Sequence, residues 1–346
     1  MKIVVLAGGT STERAVSIVS GSGVCEALRQ KGHQAILVDV FAGLENVNFE
    51  DPFPQEYDTQ AAAELIKSYD NELDNMIASR RNFFGPNVIR LCEMADFVFL
   101  ALHGSNGEDG RLQAAFDLMG IRYTGSGYLS SAMAMDKGIT KQLFLQNNIP
   151  TPKGISMVKN EQIREFAKLN MEFPVVVKTC CGGSSVGVYI VHSQEEYENA
   201  LDEAFSYENE VVVEEFIEGQ EYTVAVIEDK ALPIVEITPL AGFYDFKNKY
   251  QAGSTREICP APLSEELTAQ MKKYAVDGMK ALALDAYARF DFIMKPTGEM
   301  YCLEANTLPG MTPTSLIPQE AAAIGMDYPT LCEELIKVSM KKYESK

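Results

Sequence analysis

In KIVVLA (residues 2–7) apolar residues run without a break from Ile3 to Ala7 and stop at Gly8-Gly9. Such a run predicts a strand buried on both faces, as in a parallel sheet. From about Ser11, Val16, Val19, Gly23, Ala27 and Leu28 recur at helical spacing. QAILVDV after Gly32 and ADFVFLALHG read as two more buried strands, the latter ending in the glycine-rich turn SNGEDG. Strand, glycine turn and helix in this order predict an α/β layer. Residues 41–90 are polar and irregular, and predict an insertion with a helix around 60–80.

The pattern changes near residue 125. SAMAMDKGITKQLFLQ reads as one helix and PTPKG as a linker. Beyond it, PVVVKT, SVGVYIV, EVVVEEF, EYTVAVI, ALPIVEI, RFDFIM and MYCLEAN have the short alternating character of strands. EQIREFAKL, EEYENALDEAF and EELTAQMKKYAVDGMKAL between them have a helical period. The fold class is therefore α/β followed by α+β with antiparallel sheet. Three units are expected, at 1–125, 126–213 and 214–346.

Charge narrows the partners. The 346 residues carry a formal net charge of −19, which argues against a nucleic-acid backbone or an anionic membrane as the main partner. A few local lysines would still suffice to hold a phosphorylated ligand. The N-terminal apolar run is too short for a signal-peptide core, and no stretch has the length of a membrane helix. Seven scattered cysteines form no disulfide framework, so a reducing cytoplasm is expected.

The chemistry concentrates in a few places. RFDFIM and MYCLEAN are joined by KPTGE, where Pro296 and Gly298 suit a hairpin turn. Alternation places Arg289 and Asp291 on one face of the first strand, and Cys302, Glu304 and Asn306 on one face of the second. If the polar faces coincide, carboxylates, an amide and an arginine meet, a set suited to a hard cation and a phosphate. A solvated hairpin face is the alternative. TLPGMTPTS follows, rich in backbone N–H groups and hydroxyls that suit an anion.

KTCCGGSSVG (178–187) lacks the GK[ST] of a Walker loop. It reads either as a phosphate flap with Lys178 behind it or as a plain β-hairpin. Cys180 and Cys181 point to opposite strand faces and lack a completing His, so no metal site is expected there. Glu214, Glu215 and Glu221 flank apolar strands, as adenine and ribose acceptors or as a solvated acidic edge. His103, one of three histidines, and Glu13 sit where α/β strands end, in either a ligand-binding or a structural role.

GGTSTERAVS, HGSNGEDGRLQ, YTGSGYLSSAMAMDK, PVVVKTCCGGSSVGV, VVVEEFIEGQEYTV, FYDFKNKYQAG, ARFDFIM and CLEANTLPGMTPTSLIP stand in the order seen in D-alanine–D-alanine ligases, of the ATP-grasp superfamily. The chain resembles that family from residue 3 to about residue 336. The resemblance implies a three-domain ATP-grasp fold: an N-terminal Rossmann-like α/β domain and two α+β domains clamping ATP. It implies ligation of two D-alanines through a D-alanyl phosphate, with ADP and phosphate released, for peptidoglycan precursors. A D-alanine–D-serine ligase, another ATP-grasp ligase and a silent nucleotide-binding relative are the alternatives.

The roles implied by the resemblance map onto single positions. Asp291, Glu304 and Asn306 would hold two Mg²⁺ ions, with Mn²⁺ able to substitute. Arg289 and the backbone N–H of Gly310 would stabilise the tetrahedral oxyanion. Lys137 and Lys178 would meet the ATP phosphates, and Glu214, Glu215, Ile217 and Glu221 the adenine and ribose. Glu13, with His103 nearby, would take the first D-alanine; Ser315 and Leu316 would receive the carboxylate of the second. Tyr250 would close the site through Ser184 and Glu13, and Lys249 would touch the transferred phosphate. Tyr250, where ester-forming relatives tend to have histidine, favours an amine nucleophile. Ala15, Thr179, Cys180, Cys181, Gly182 and Phe246 depart from common family residues without removing any of these groups. A homodimer is expected from the family habit.

Overall fold

A computed structural model describes residues 1–183, 187–239 and 255–344. The chain opens with β1 (Lys2–Ala7), α1 (Arg14–Gln30) and β2 (Gln34–Asp39). Helices α2 (Thr59–Ser68), α3 (Leu73–Ser79) and α4 (Val88–Met94) lead to β3 (Phe97–Leu100) and α5 (Arg111–Met119). The strands form a parallel sheet in the order β2-β1-β3. As the unbroken apolar run predicts, both faces of β1 are buried: Ile3, Val5 and Ala7 enter one core, Val4 and Leu6 another. Gly21 lets α1 lie on β1, since a Cβ there would stand 2.6 Å from that of Ala7.

α6 (Tyr128–Met135) and α7 (Lys137–Gln146) replace the single helix expected over SAMAMDKGITKQLFLQ. Asp136 breaks it: its carboxylate accepts the Ile139 N–H at 2.9 Å and starts a new helix at Lys137. β4 (Gly154–Val158), β5 (Val175–Thr179), β6 (Val188–Val191), α8 (Gln194–Tyr207) and β7 (Glu210–Glu215) follow. The strands pair antiparallel in the order β4-β7-β5-β6.

The helix expected over EQIREFAKL does not form; the segment holds only short 3₁₀ turns. Side chains of α8 take over its backbone. Gln194 accepts from the Phe166 N–H and donates to the Arg164 carbonyl, and the Tyr197 hydroxyl donates to the Ile163 carbonyl. Phe166 meanwhile stacks on Phe173 at 3.8 Å between centroids. These tertiary bonds outweigh a local helical preference.

The last sheet comprises β8 (Gln220–Ile227), β9 (Lys230–Ala231), β10 (Val235–Pro239), β11 (Thr255–Ile258), β12 (Tyr287–Met294) and β13 (Met300–Asn306). Its order is β11-β10-β8-β12-β13, with β9 also on β8, and α9 (Glu265–Ala281) packs on it. The strand expected over ALPIVEI is broken around Pro233 into β9 and β10. The break leaves the Ala225 N–H of β8 without a strand acceptor. The buried Glu320 of α10 (Leu316–Ala322) accepts it instead, at 2.7 Å. α11 (Tyr328–Glu344) then returns to the first layer, where Leu331 and Leu335 share the core of Ile3 and Val5.

Candidate functional site

The hairpin β12-β13 closes through a turn with Gly298 at φ +92°, the left-handed position expected. From the turn, Ile293 pairs with Tyr301 and Phe292 with Cys302. Strict continuation would set Glu304 opposite Phe290, on the apolar face. A bulge at Leu303 shifts the register, so that Asp291 pairs with Glu304 and Arg289 with Asn306. The expectation that Cys302 shares a face with Glu304 and Asn306 is therefore wrong. Cys302 packs in the core with Phe292, because the extra residue reverses the alternation.

The bulge brings the polar groups together. Asp291 accepts from the Arg289 Nε at 2.9 Å and Nη2 at 2.8 Å, from Asn306 Nδ2 at 3.0 Å and from Thr223 Oγ1 at 2.7 Å. The Glu304 carboxylate meets the Lys137 ammonium at 3.2 Å. Among the described residues no group of three or more His, Cys, Asp and Glu side chains is arranged to hold a metal. The set here is different in kind: two half-buried carboxylates and an amide, with Arg289 and Lys137 balancing their charge. Hard oxygen donors of this type fit Mg²⁺.

Two cavities adjoin this wall. One, about 170 Å³, is lined by Lys178, Glu214, Glu215, Ile217 and Glu221, with Leu303 of the bulge on its floor. Glu214 is buried between two ammonium groups: Lys178 lies 2.5 Å from Oε1 and Lys141 2.5 Å from Oε2. Burial would raise its carboxyl, but the two lysines prevail and hold it below the ordinary carboxylate range.

The other cavity, about 450 Å³, is lined by Glu13, His103, Arg289, Gly310, Ser315 and Leu316, among others. The turn that carries Glu13 is tied down by Arg14, which meets Asp39 at 2.6 Å and the Gly9 carbonyl at 2.8 Å. Gly183 lies close to Glu13: a Cβ there would stand 2.9 Å from Oε2, so the carboxylate would have to shift. Burial pushes the His103 imidazole below its ordinary value, so it is neutral. Its Nδ1–H then donates to the Leu308 carbonyl at 2.9 Å, and Nε2 faces the Ser20 hydroxyl at 3.2 Å. Ser20 in turn accepts from the Met311 N–H, so His103 braces the loop on both sides of Gly310. The Ser315 hydroxyl accepts from the Thr312 N–H at 2.9 Å as α10 begins. The two cavities meet at Lys137, Glu304, Gly182 and Gly183, which line both.

Two family models match most of the chain. The D-ala D-ala ligase N-terminus family matches residues 2–126, and the D-ala D-ala ligase C-terminus family residues 144–337. The chain belongs to the D-alanine–D-alanine ligase family. It is 43% identical to the D-alanine–D-alanine ligase of Pediococcus pentosaceus, over 99% of both chains. Against that of Lacticaseibacillus casei it is 45% identical, over 99% of this chain and 97% of the other. Among solved structures, the Bacillus anthracis D-alanine–D-alanine ligase complexed with ATP superposes with a TM-score of 0.77 at 32% identity, covering 100% of this chain and 99% of that one. The VanG D-Ala:D-Ser ligase of Enterococcus faecalis gives 0.77 at 28% identity, covering 98% and 99%. The fold is the expected ATP-grasp fold.

Of the expected site residues of this enzyme, Ser184, Lys249 and Tyr250 lie outside the described residues, as does Phe246. All the others line one or both cavities. Two residues escaped the sequence reading. Lys141 falls four residues after Lys137, on the same helix face, a spacing that pointed toward the site. Glu108, in the turn after His103, lines the larger cavity and accepts from the N–H groups of Gly104 at 2.8 Å and Leu308 at 3.1 Å. Burial, with Glu13 nearby, pushes its carboxyl up to about 7. Cys180 is buried and Cys181 half-buried, both free thiols raised by burial, Cys181 to about 11. Neither has the low pKa of a reactive thiol.

Proposed function

We propose that the smaller cavity takes ATP, the larger takes two D-alanines, and the phosphoryl group passes where they meet. The enzyme is an ATP-dependent D-alanine–D-alanine ligase serving peptidoglycan precursor synthesis. The observation that carries the assignment of the two cavities is their junction, where Lys137 and Glu304 face both. The first D-alanine carboxylate attacks the γ-phosphorus, giving D-alanyl phosphate and ADP. The neutral amine of the second D-alanine attacks the acyl carbon, and the tetrahedral intermediate collapses by expelling phosphate.

Residue chemistry supports the individual roles. The Glu13 carboxylate holds the ammonium of the first D-alanine at a helix start, and neutral His103 adds no positive charge beside it. Arg289 and the Gly310 N–H face the oxyanion, where preorganised donors contribute most. Ser315 and Leu316, at the start of α10, seat the second carboxylate. Lys137 and Lys178 hold the phosphates, while Glu214, Glu215, Ile217 and Glu221 line the adenine and ribose. Asp291, Glu304 and Asn306 hold Mg²⁺, with Mn²⁺ as a substitute; when bound, the metal neutralises charge on the transferred phosphoryl. Tyr250, through Ser184 and Glu13, excludes water from the acyl phosphate, and Lys249 touches the transferred group.

The proposed domains are residues 1–125, 126–213 and 214–346, a division whose second limit falls inside β7. A homodimer in the cytoplasm completes the reading; no helix among the described residues is long and apolar enough to cross a membrane. The test is D-alanine-dependent ADP release by the purified enzyme with MgATP, in competition with D-serine and D-lactate and with product identification. D-alanyl-D-alanine as the main product is expected. Predominant D-alanyl-D-serine would transfer the assignment to the serine-using relatives, and no turnover would sink it.

A further inference from the structure

Lys141 is buried and lines neither cavity, yet its ammonium lies 2.5 Å from Glu214 Oε2 and 3.1 Å from Thr151 Oγ1. The opposite oxygen of the same carboxylate holds Lys178, also at 2.5 Å, and both Lys178 and Glu214 line the smaller cavity. A buried Lys178–Glu214 pair without a third member would be electrically neutral. Such a pair would present no net attraction to a polyphosphate, because the carboxylate cancels the ammonium at short range. With Lys141 behind Glu214, two cations share one anion, and a single positive charge remains on the cavity side. Burying a further lysine is unfavourable, and burial does push the Lys141 ammonium below its ordinary value against the pull of Glu214. α7 carries Lys137 one turn earlier, on Glu304 and on the Gly182 carbonyl at 2.6 Å. One helix thus supplies Lys137 to the cavity wall and Lys141 behind Glu214.

We infer that Lys141 is a positioning residue that neutralises Glu214 from behind, so that Lys178 keeps its positive charge for the nucleotide phosphates. The inference rests on the proposed assignment of this cavity to ATP. It differs from a purely structural salt bridge in its readout: loss of Lys141 weakens MgATP binding selectively, and only while Glu214 carries its charge.

That dependence is measurable by a double-mutant cycle on KM for MgATP and KM for D-alanine. Lys178→Met, which alters only the smaller cavity, tests the assignment of that cavity separately, through a rise in KM for MgATP. Lys141→Met is expected to raise KM for MgATP about tenfold and leave KM for D-alanine within about twofold. Lys141→Arg, which keeps the charge, should stay within about threefold of the unaltered enzyme for both. In the Glu214→Gln background, adding Lys141→Met should change KM for MgATP by no more than about twofold. A tenfold rise in both backgrounds, an equal rise for both substrates, or no rise in the first background would overturn the inference. If Lys141→Met alone does not fold, the two Glu214→Gln enzymes decide: a difference within twofold supports it, and a tenfold difference rejects it.

Discussion

The two cavities handle buried charge in opposite ways. Around the smaller one, charges are kept and paired: Lys141, Glu214 and Lys178 form a chain of ionic contacts at 2.5 Å. Around the larger one, two buried groups shift toward their neutral forms. Burial lowers His103, and the Glu108 carboxyl is raised to about 7 by burial and by Glu13. The difference matches the ligands proposed. A polyphosphate brings several negative charges and rewards a surplus cation, whereas an amino acid brings one charge of each sign and needs only Glu13 and a carboxylate seat. Electrostatics separates the two halves of the site before any shape is considered.

Removing a group shared by both cavities should do the most damage. Glu304→Ala is expected to reduce turnover by at least about a thousandfold while circular dichroism shows a folded protein. An active, normally Mg²⁺-dependent variant would break the reading of the shared wall. Behind the larger cavity, Glu320 caps the Ala225 N–H, and Ala225 pairs with Arg289 across β8 and β12. Glu320→Ala should cost about 1–3 kcal/mol of stability, because it leaves a buried N–H without an acceptor. Glu320→Gln retains an acceptor and should cost less, as urea unfolding would show.

Glu108 sharpens the contrast through pH. Its folded pKa, about 7, lies above the ordinary carboxylate range, so the folded state holds the proton that the unfolded state has lost. The stability from this proton is fully present below the ordinary carboxylate pKa and is lost as pH rises toward 7. Glu108→Gln should remove that slope, so unfolding at pH 5 and 7.5 should show the variant gaining on the parent at the higher pH. The smallest effect is expected at the flap: Cys181→Ser should leave turnover within about twofold, since its raised thiol is inert. Cys180→Ser should also remain active, with some loss of stability from burying a hydroxyl. Loss of turnover in either enzyme would mean that the flap is misread.

Local pattern was a good guide wherever one element acted alone. The both-faces-apolar run of β1, the turn at Gly298 and the helix of α8 need only a few neighbouring residues to be recognised. The failures have a common cause. EQIREFAKL has a helical period, but Gln194 and Tyr197 bind its backbone first. SAMAMDKGITKQLFLQ also has one, but Asp136 caps a new start within it. Each deviation is a hydrogen bond that the hydrophobic period does not register.

The chain order of the motifs was sufficient to name the family and most of the groups that line the cavities, because residue chemistry and spacing survive being read in one dimension. The facing of those groups was decided by the tertiary structure. Strict alternation from the turn would have buried Glu304, and the bulge at Leu303 turned it back toward Asp291. Lys141 acquires a purpose only beside Glu214, 73 positions away in the chain. Register and long-range charge pairing depend on which strands and helices the whole core brings together, so neither is present in any short stretch of sequence.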